Sequence, residues 1–286
     1  MARQPEGPPP APVVQRVRMR YAKRGRLRFA SHRDFARTLE RALRRAEVPM
    51  AYSAGFTPHP KISYVGAAPT GVASDAEYLE LALAEQVDVD RLRAALDAAL
   101  PPGLDVLECV PAMPGSVGLA ERIDASAWRV ELPGVTVEES ERAVAAFLQQ
   151  DVVEVERLTK DGRRLLDARG AVVGVTVTAG PGPGWSDTGP ESPCAILDVV
   201  VRQATPAVRP DDVLAALRAV VGLAPPAPPR ATRLAQGRLD DTGRLADPLA
   251  ADRAAVLAAA DRPPQPEGGP GPERRPAPSV GSRPAG

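Results

Sequence analysis

An α+β protein made of two consecutive β-α-β-β-α-β units is what this sequence predicts, on three observations. Segments of strand-like alternation and of helical periodicity follow one another in that order from residue 13 to about 115. The same order then returns from 116 to about 240. The Pro- and Gly-rich stretches fall at the two ends and at 180–193, leaving the patterned parts uninterrupted.

In the first unit, Val17, Met19 and Tyr21 alternate with Arg18 and Arg20, as in a half-buried strand. Residues 23–26 read as a turn, and 27–30 as a return to extended chain. Ser31, with Asp34 three residues on, opens a helix over 33–47 that buries Phe35, Ala36, Leu39, Leu43 and Ala46. Its opposite side carries Arg33, Arg37, Arg41, Arg44 and Arg45. A loop at 55–60 leads to a strand at 61–65, and Tyr78, Leu79, Leu81 and Leu83 mark another. A helix over 89–100 and a strand over 104–110 complete the ferredoxin-like order. The second unit places strands at 128–132, 152–158, 171–178, 195–201 and 231–239, with helices at 137–149 and 210–221. Asp247-Pro248 announces a short C-terminal helix, Asp at the N-cap and Pro at N1. The expected domains are a disordered tail 1–12, unit one 13–115, unit two 116–240, a helical segment 241–261, and a disordered tail 262–286 with eight Pro and five Gly in 25 residues.

Composition narrows the chemistry. Two cysteines 85 positions apart, Cys109 and Cys194, exclude a disulfide-stapled scaffold, a zinc ribbon and clusters built on closely spaced thiolates. No apolar run reaches the ~18 residues a membrane helix needs, and no apolar leader follows Met1, so a reducing cytoplasm is the expected setting. Net charge is zero, yet its distribution is lopsided. Between Val14 and Tyr64 thirteen Arg or Lys face three acidic residues, a net of +10, while residues 65–286 carry 22 against 32. Such a patch on an otherwise neutral body suits a polyanion. Its bland counterpart is a composition of 33 Arg and three Lys, in which arginine is the default solvated cation.

The segment Tyr52-Ser-Ala-Gly-Phe-Thr-Pro-His-Pro-Lys-Ile-Ser-Tyr64 is the densest in functional side chains. Pro58 and Pro60 stiffen the backbone around His59. With Lys61 two residues on, the loop and the arginine helix would form a phosphate cradle, Tyr52, Phe56 or Tyr64 supplying a stacking ring and Phe56 partly buried between loop and sheet. A connector merely packed on the sheet is the alternative. His32 and His59, the only histidines, could serve as an acid–base pair. Other motifs fail. His32-Arg33-Asp34 imitates a kinase catalytic loop without its metal-binding Asn, and Gly180 to Gly184 alternates with proline that removes the amides a phosphate loop needs. Asp240, Asp241, Asp247 and Asp252 are too scattered for a metal site, so no metal and no cofactor is expected.

Three stretches together resemble one family: Arg-Leu-Arg-Phe-Ala-Ser-His-Arg-Asp at 26–34 with Arg-Ala-Leu-Arg-Arg-Ala at 41–46, Gly-Phe-Thr-Pro-His-Pro-Lys-Ile-Ser at 55–63, and Ala-Pro-Thr-Gly-Val-Ala-Ser at 68–74 followed by Glu-Tyr-Leu-Glu at 77–80. The chain is similar over roughly 14–240 to radical-SAM-associated (radical-SAM-linked) proteins, a domain of unknown function. Members follow a radical SAM domain in one polypeptide or stand alone, often encoded beside a ribonuclease of the E/G type. A radical SAM enzyme holds its iron–sulfur cluster with three closely spaced thiolates, which this chain lacks. The resemblance therefore implies an accessory rather than the radical enzyme. The expectation is a non-catalytic module binding tRNA or rRNA for a radical SAM protein or an E/G-type ribonuclease. Arg28, Arg33, Arg37, Arg41 and Arg44 would neutralise phosphates, with His59 and Lys61 positioning the backbone. The alternatives are a metal-independent ribonuclease using His32 and His59, and a protein–protein adaptor that touches no nucleic acid.

Overall fold

The computed structural model describes residues 10–159, 162–180 and 193–260. Strand β1 (Gln15–Lys23) sends Val17, Met19 and Tyr21 to one face and Arg16, Arg18 and Arg20 to the other, as its alternation requires. It is followed by α1 (His32–Arg45), β2 (Ile62–Val65), β3 (Ala73–Leu83), α2 (Val89–Ala99) and β4 (Leu104–Pro111). β1 lies between β4 and β3, β2 pairs with β3, and all three pairings are antiparallel. Both helices cover one face, where Leu39 and Leu43 of α1 and Leu92 and Leu96 of α2 meet Val17, Met19, Leu79 and Leu81.

The second half runs β5 (Ala125–Pro133), α3 (Val137–Leu148), β6 (Glu154–Thr159), β7 (Gly162–Asp167), α4 (Ala168–Ala171), β8 (Val172–Ala179), β9 (Cys194–Arg202), α5 (Pro210–Val221) and β10 (Arg230–Leu239). Its sheet order is β10-β5-β9-β8, with α3 and α5 packed over Trp128, Val130, Leu132 and Leu197. β6 and β7 form a separate hairpin where the sequence predicted one strand at 152–158. Arg157 anchors it by donating to Asp212 of α5 at 2.8 Å and to the Ala207 carbonyl at 2.9 Å. A two-residue strand β11 (Leu245–Ala246) pairs with β10, and α6 (Ala250–Ala260) closes the described chain, its start held by Asp247, which accepts from the Leu249 amide at 2.9 Å.

The two halves share one mostly antiparallel sheet because β10 runs parallel to the start of β3, Thr232 and Arg233 beside Ala73 and Ser74. So short a ladder needs reinforcement, and buried polar groups supply it. Arg233 forms an ion pair with Glu77, lies 3.4 Å from Ser74 Oγ, and stacks its guanidinium 5.3 Å from the Trp128 ring. Gln236 Nε2 donates to the Ala76 carbonyl at 2.5 Å.

On the face away from α1 and α2, a 3-10 turn at Leu119–Arg122 and the start of α6 lie over β1, β3 and β4, burying Tyr78, Val110, Leu119, Ile123 and Leu249. Arg18 is only 2% exposed here. It donates to Glu80 at 3.0 Å, Asp252 at 2.7 Å and the Val117 carbonyl at 2.7 Å, while Arg122 also reaches Asp252 at 2.7 Å. Burial alone would raise the Asp252 carboxyl. The hydrogen bonds from Arg18, the Met113 amide and Arg122 outweigh it and hold the group below the usual carboxylate range.

One further expectation changes. Of residues 27–30 only Ala30 is extended, because Gly25 turns the chain at φ +55° into a 3-10 turn over Gly25–Phe29. The expected loop at 180–193 lies outside the described residues apart from its two ends, as do residues 1–9 and 262–286 of the expected tails.

Removing one partner of the buried seam pair strands the other's charge. Glu77→Gln and Arg233→Met should each cost about 3–5 kcal/mol in urea unfolding, and the double variant should cost less than their sum. Asp252, depressed in the folded state, stabilises above the unfolded carboxylate pKa and loses that contribution as pH falls through its lower folded value. The stability gap between the wild type and Asp252→Asn should therefore narrow below about pH 4, measured by urea unfolding across a pH series.

Candidate nucleic-acid interface

Helix α1 begins with a capping box. The Asp34 amide donates to Ser31 Oγ at 3.2 Å, and the Ser31 amide donates back to the Asp34 carboxylate at 3.4 Å. The hydrogen bonds from Ser31 hold the Asp34 carboxyl below its ordinary range. With Phe35, Leu39, Ala42 and Leu43 turned to the core, Arg33, Arg37, Arg41 and Arg44 form an exposed stripe. Arg44 reaches Glu40 at 3.5 Å and Arg41 donates to Thr38 Oγ1 at 3.3 Å. Arg33 and Arg37 make no ion pair or side-chain hydrogen bond with another described residue. Arg45 leaves the stripe to donate to the Ala99 carbonyl of α2. A hollow of about 410 Å³ follows the stripe, lined by Asp34, Arg37, Thr38, Glu40, Arg41 and Arg44.

Around the start of α1, segments distant in sequence are tied together. Lys23, buried, donates to the Ala68 and Pro69 carbonyls, both at 3.3 Å; Glu77 accepts from the Ala68 amide at 3.0 Å; and the Gly71 amide donates to the Arg28 carbonyl at 2.8 Å. Burial lowers the Lys23 ammonium, against the pull of Glu77. A file of rings leads outward from this base: Tyr21 stacks on Phe35 at 4.4 Å, Phe35 meets Tyr64 at 6.1 Å, and Tyr64 meets His32 edge-on at 4.8 Å. Burial, then the charge of Glu40, pushes the Tyr64 hydroxyl up to about 12. Phe29, two residues before the N-cap of α1, is 58% exposed, with the Arg28 guanidinium 4.7 Å from its ring centre and Arg28 Nε buried without a hydrogen-bond partner. Phe29 escapes sequence reasoning because Leu27 and Phe29 imitate strand alternation; Gly25 was the available sign of a turn.

The segment 50–61 doubles back as a hairpin. The Ala51 amide donates to the Ala82 carbonyl at 2.8 Å, the Lys61 amide to the Ala51 carbonyl at 2.8 Å, and Ser53 and His59 bond to each other through the Ser53 amide and hydroxyl. Its tip projects, leaving Phe56 73% exposed rather than tucked between loop and sheet. The buried apolar side chains of the segment are Met50 and Ala51 at its base. A hollow of about 270 Å³ separates the hairpin from α1, and its hairpin wall is Met50, Tyr52 and Pro60, facing Arg44, Glu40 and Glu47. His59 and Lys61 are exposed outside that lining, so the cradle is not built as expected. No hydrogen bond or ring contact joins His32 to His59 among the described residues.

The acidic residues near the C-terminus have structural partners. Asp240 accepts from the Thr242 and Arg244 amides, both at 2.9 Å, and Asp247 and Asp252 engage Arg253, Arg18 and Arg122. No cluster of His, Cys, Asp and Glu suited to a metal ion occurs among the described residues. Burial pushes the Cys109 thiol up to about 12, making it a core residue rather than a nucleophile.

The motif segments that meet around Lys23 and Glu77 lie within a match to one family model over residues 16–210, described as "Uncharacterized protein conserved in bacteria (DUF2344)". The chain belongs to that family. The match runs from within β1 to the first residue of α5, leaving β10 and α6 beyond it. No curated protein matches the chain. A crystal structure of an unknown protein from Galdieria sulphuraria aligns at 13% identity over 77% of this chain and 98% of its own, with a TM-score of 0.22, and at that score carries no argument. Among the described residues no helix is long and apolar enough to cross a membrane.

Two aromatics separate surface from core by stability. Phe56→Ala should stay within about 0.5 kcal/mol of the wild type, whereas Phe35→Ala should cost about 3–5 kcal/mol, both by equilibrium unfolding.

Proposed function

We propose that this protein is a non-catalytic RNA-binding module whose principal surface is the exposed arginine stripe of α1. One observation carries the reading: Arg33 and Arg37 stand in solvent with no ion pair or side-chain hydrogen bond to another described residue, at the head of a stripe continued by Arg41 and Arg44. Arginines that reach solvent along one helix face, two of them without an ion pair, suit a run of phosphates. Exposed rings lie at both ends: Phe29 with Arg28 near the helix start, and Tyr52 and Phe56 in the hairpin near its end. Such rings are platforms for unstacked bases, which favours single-stranded or loop regions of a tRNA or rRNA.

The strand orders support reading the halves as two ferredoxin-like units fused through β3 and β10, each a β-α-β-β-α-β with its first and third strands central. Folds of this kind often bind RNA on the open sheet face. Here α6 and the 3-10 turn at Leu119–Arg122 cover that face of the first half, and that of the second carries no aromatic residue among the described ones. The helix side is what remains for the main contact. The partner is a radical SAM protein or an E/G-type ribonuclease, on the strength of the motif resemblance. The metal-independent ribonuclease alternative is favoured less, since among the described residues no hydrogen bond or ring contact joins the two histidines.

Charge reversal tests the reading. Arg37→Glu combined with Arg41→Glu should weaken binding of bulk tRNA and lower the slope of log affinity against log salt by about 0.7–0.9 for each phosphate no longer neutralised. Unchanged affinity and slope in a folded double variant would make the stripe a merely solvated face.

A further inference from the structure

On the face away from the helices, β1 presents Arg16, Arg18 and Arg20 at alternate positions, and β3 sets Ala82, Glu80 and Tyr78 directly across from them. Both strands are central in the sheet of their half. A cavity of about 540 Å³ opens beside the row, its walls including Arg16, Arg18, Glu80, Met113 and Ser116. Close by, Asp252 of α6 is completely buried. One carboxylate oxygen accepts from Arg18 Nη1 and Arg122 Nη1, both at 2.7 Å, and the other accepts from the Met113 amide at 3.2 Å. Two guanidiniums and an amide converging on one anionic group form a donor set equally suited to phosphate oxygens. Arg122 Nε is buried without a partner, so one donor there is still unused.

Little besides charge keeps α6 in place. Leu249 is the large apolar side chain buried where the helix begins, while Val256 and Leu257 farther along are exposed. Elements with few buried apolar contacts are the first to open.

We propose that this arginine-bearing sheet face is a second phosphate site for RNA, which Asp252 plugs in the free protein and which RNA claims by displacing α6. This rests on the RNA reading above and extends it from the helix side to the opposite face. The cavity lets a phosphate reach Arg16 first, whose half-exposed guanidinium holds Glu80 at 2.8 Å. As α6 leaves, Arg18 and Arg122 exchange a carboxylate for phosphate, and Tyr78, directly across from Arg20, loses the cover of Leu249 while the 3-10 turn at Leu119–Arg122 stays over it.

The test uses the full chain with polyuridylate and with bulk tRNA. Asp252→Asn keeps the shape of the side chain and removes its charge. Asp211→Asn, at an exposed position of α5, makes the same change of net charge elsewhere. Asp252→Asn should bind about tenfold more tightly and steepen the salt slope by about 0.7 per added phosphate. Asp211→Asn should leave both near the wild-type values. Equal behaviour of the two variants overturns the plug. In case Asp252→Asn is poorly folded, amide hydrogen exchange on the wild type gives a second reading: RNA should reduce protection across residues 250–260, and unchanged protection overturns the proposal. If the variants behave alike while Arg37→Glu with Arg41→Glu abolishes binding, only the plug falls. If the wild type binds neither RNA, both readings fall together.

Discussion

Arg233 and Glu77 face each other where β10 meets β3, and the continuity of the sheet depends on what they do there. Two residues of parallel ladder could not hold two halves in register alone. The ion pair, with Ser74, Gln236 and the Trp128 ring around it, turns a brief pairing into a specified junction. A buried pair of this kind is weak evidence for stability as such, because desolvating two charges costs several kcal/mol per ion. Its contribution here is positional. Glu77 also accepts from the Ala68 amide, so the carboxylate that joins the halves also fixes the loop beside Phe29 and the start of α1.

That double duty explains why distant motif segments are found together. Lys23, Arg28, Gly71, Tyr64 and His32 are neighbours through carbonyls, amides and ring edges rather than through one shared element. The result is a rigid base with two exposed attachments, the arginine stripe and the hairpin. Phosphate contacts along the stripe would set the orientation of a nucleic acid, and rings at its two ends would select unpaired stretches.

Much of the fold was legible because local rules agree with the tertiary structure. Ser31 with Asp34, Thr136 with Glu139 and Pro210 at N1 each mark a helix start that the structure keeps. The exposed arginines of α1 follow from helical periodicity alone. Other features were hidden for identifiable reasons. The β6–β7 hairpin carries Arg163-Arg164-Leu165-Leu166, which shows no period of two because Leu165 is exposed beside buried Leu166, two apolar side chains on opposite faces. The seam pairs residues 156 positions apart, beyond the reach of any window. The exposure of Phe56 could not be read from its neighbours, since a ring in a Gly- and Pro-rich loop has no periodicity to aim it. The role of Asp252 was invisible because a single carboxylate in an alanine-rich helix looks solvated until its two arginine partners are seen.

The scarcity of lysine has a practical corollary. Lys23 commits its ammonium to the Ala68 and Pro69 carbonyls under the loop, and among the described residues this leaves Lys61 as the one lysine in solvent. Guanidinium groups do not acylate under conditions that modify primary amines. Activated esters and amine-directed cross-linkers applied to the folded chain would therefore pass over the whole arginine helix, and a cross-link mapped to Lys61 reports a neighbour of the hairpin.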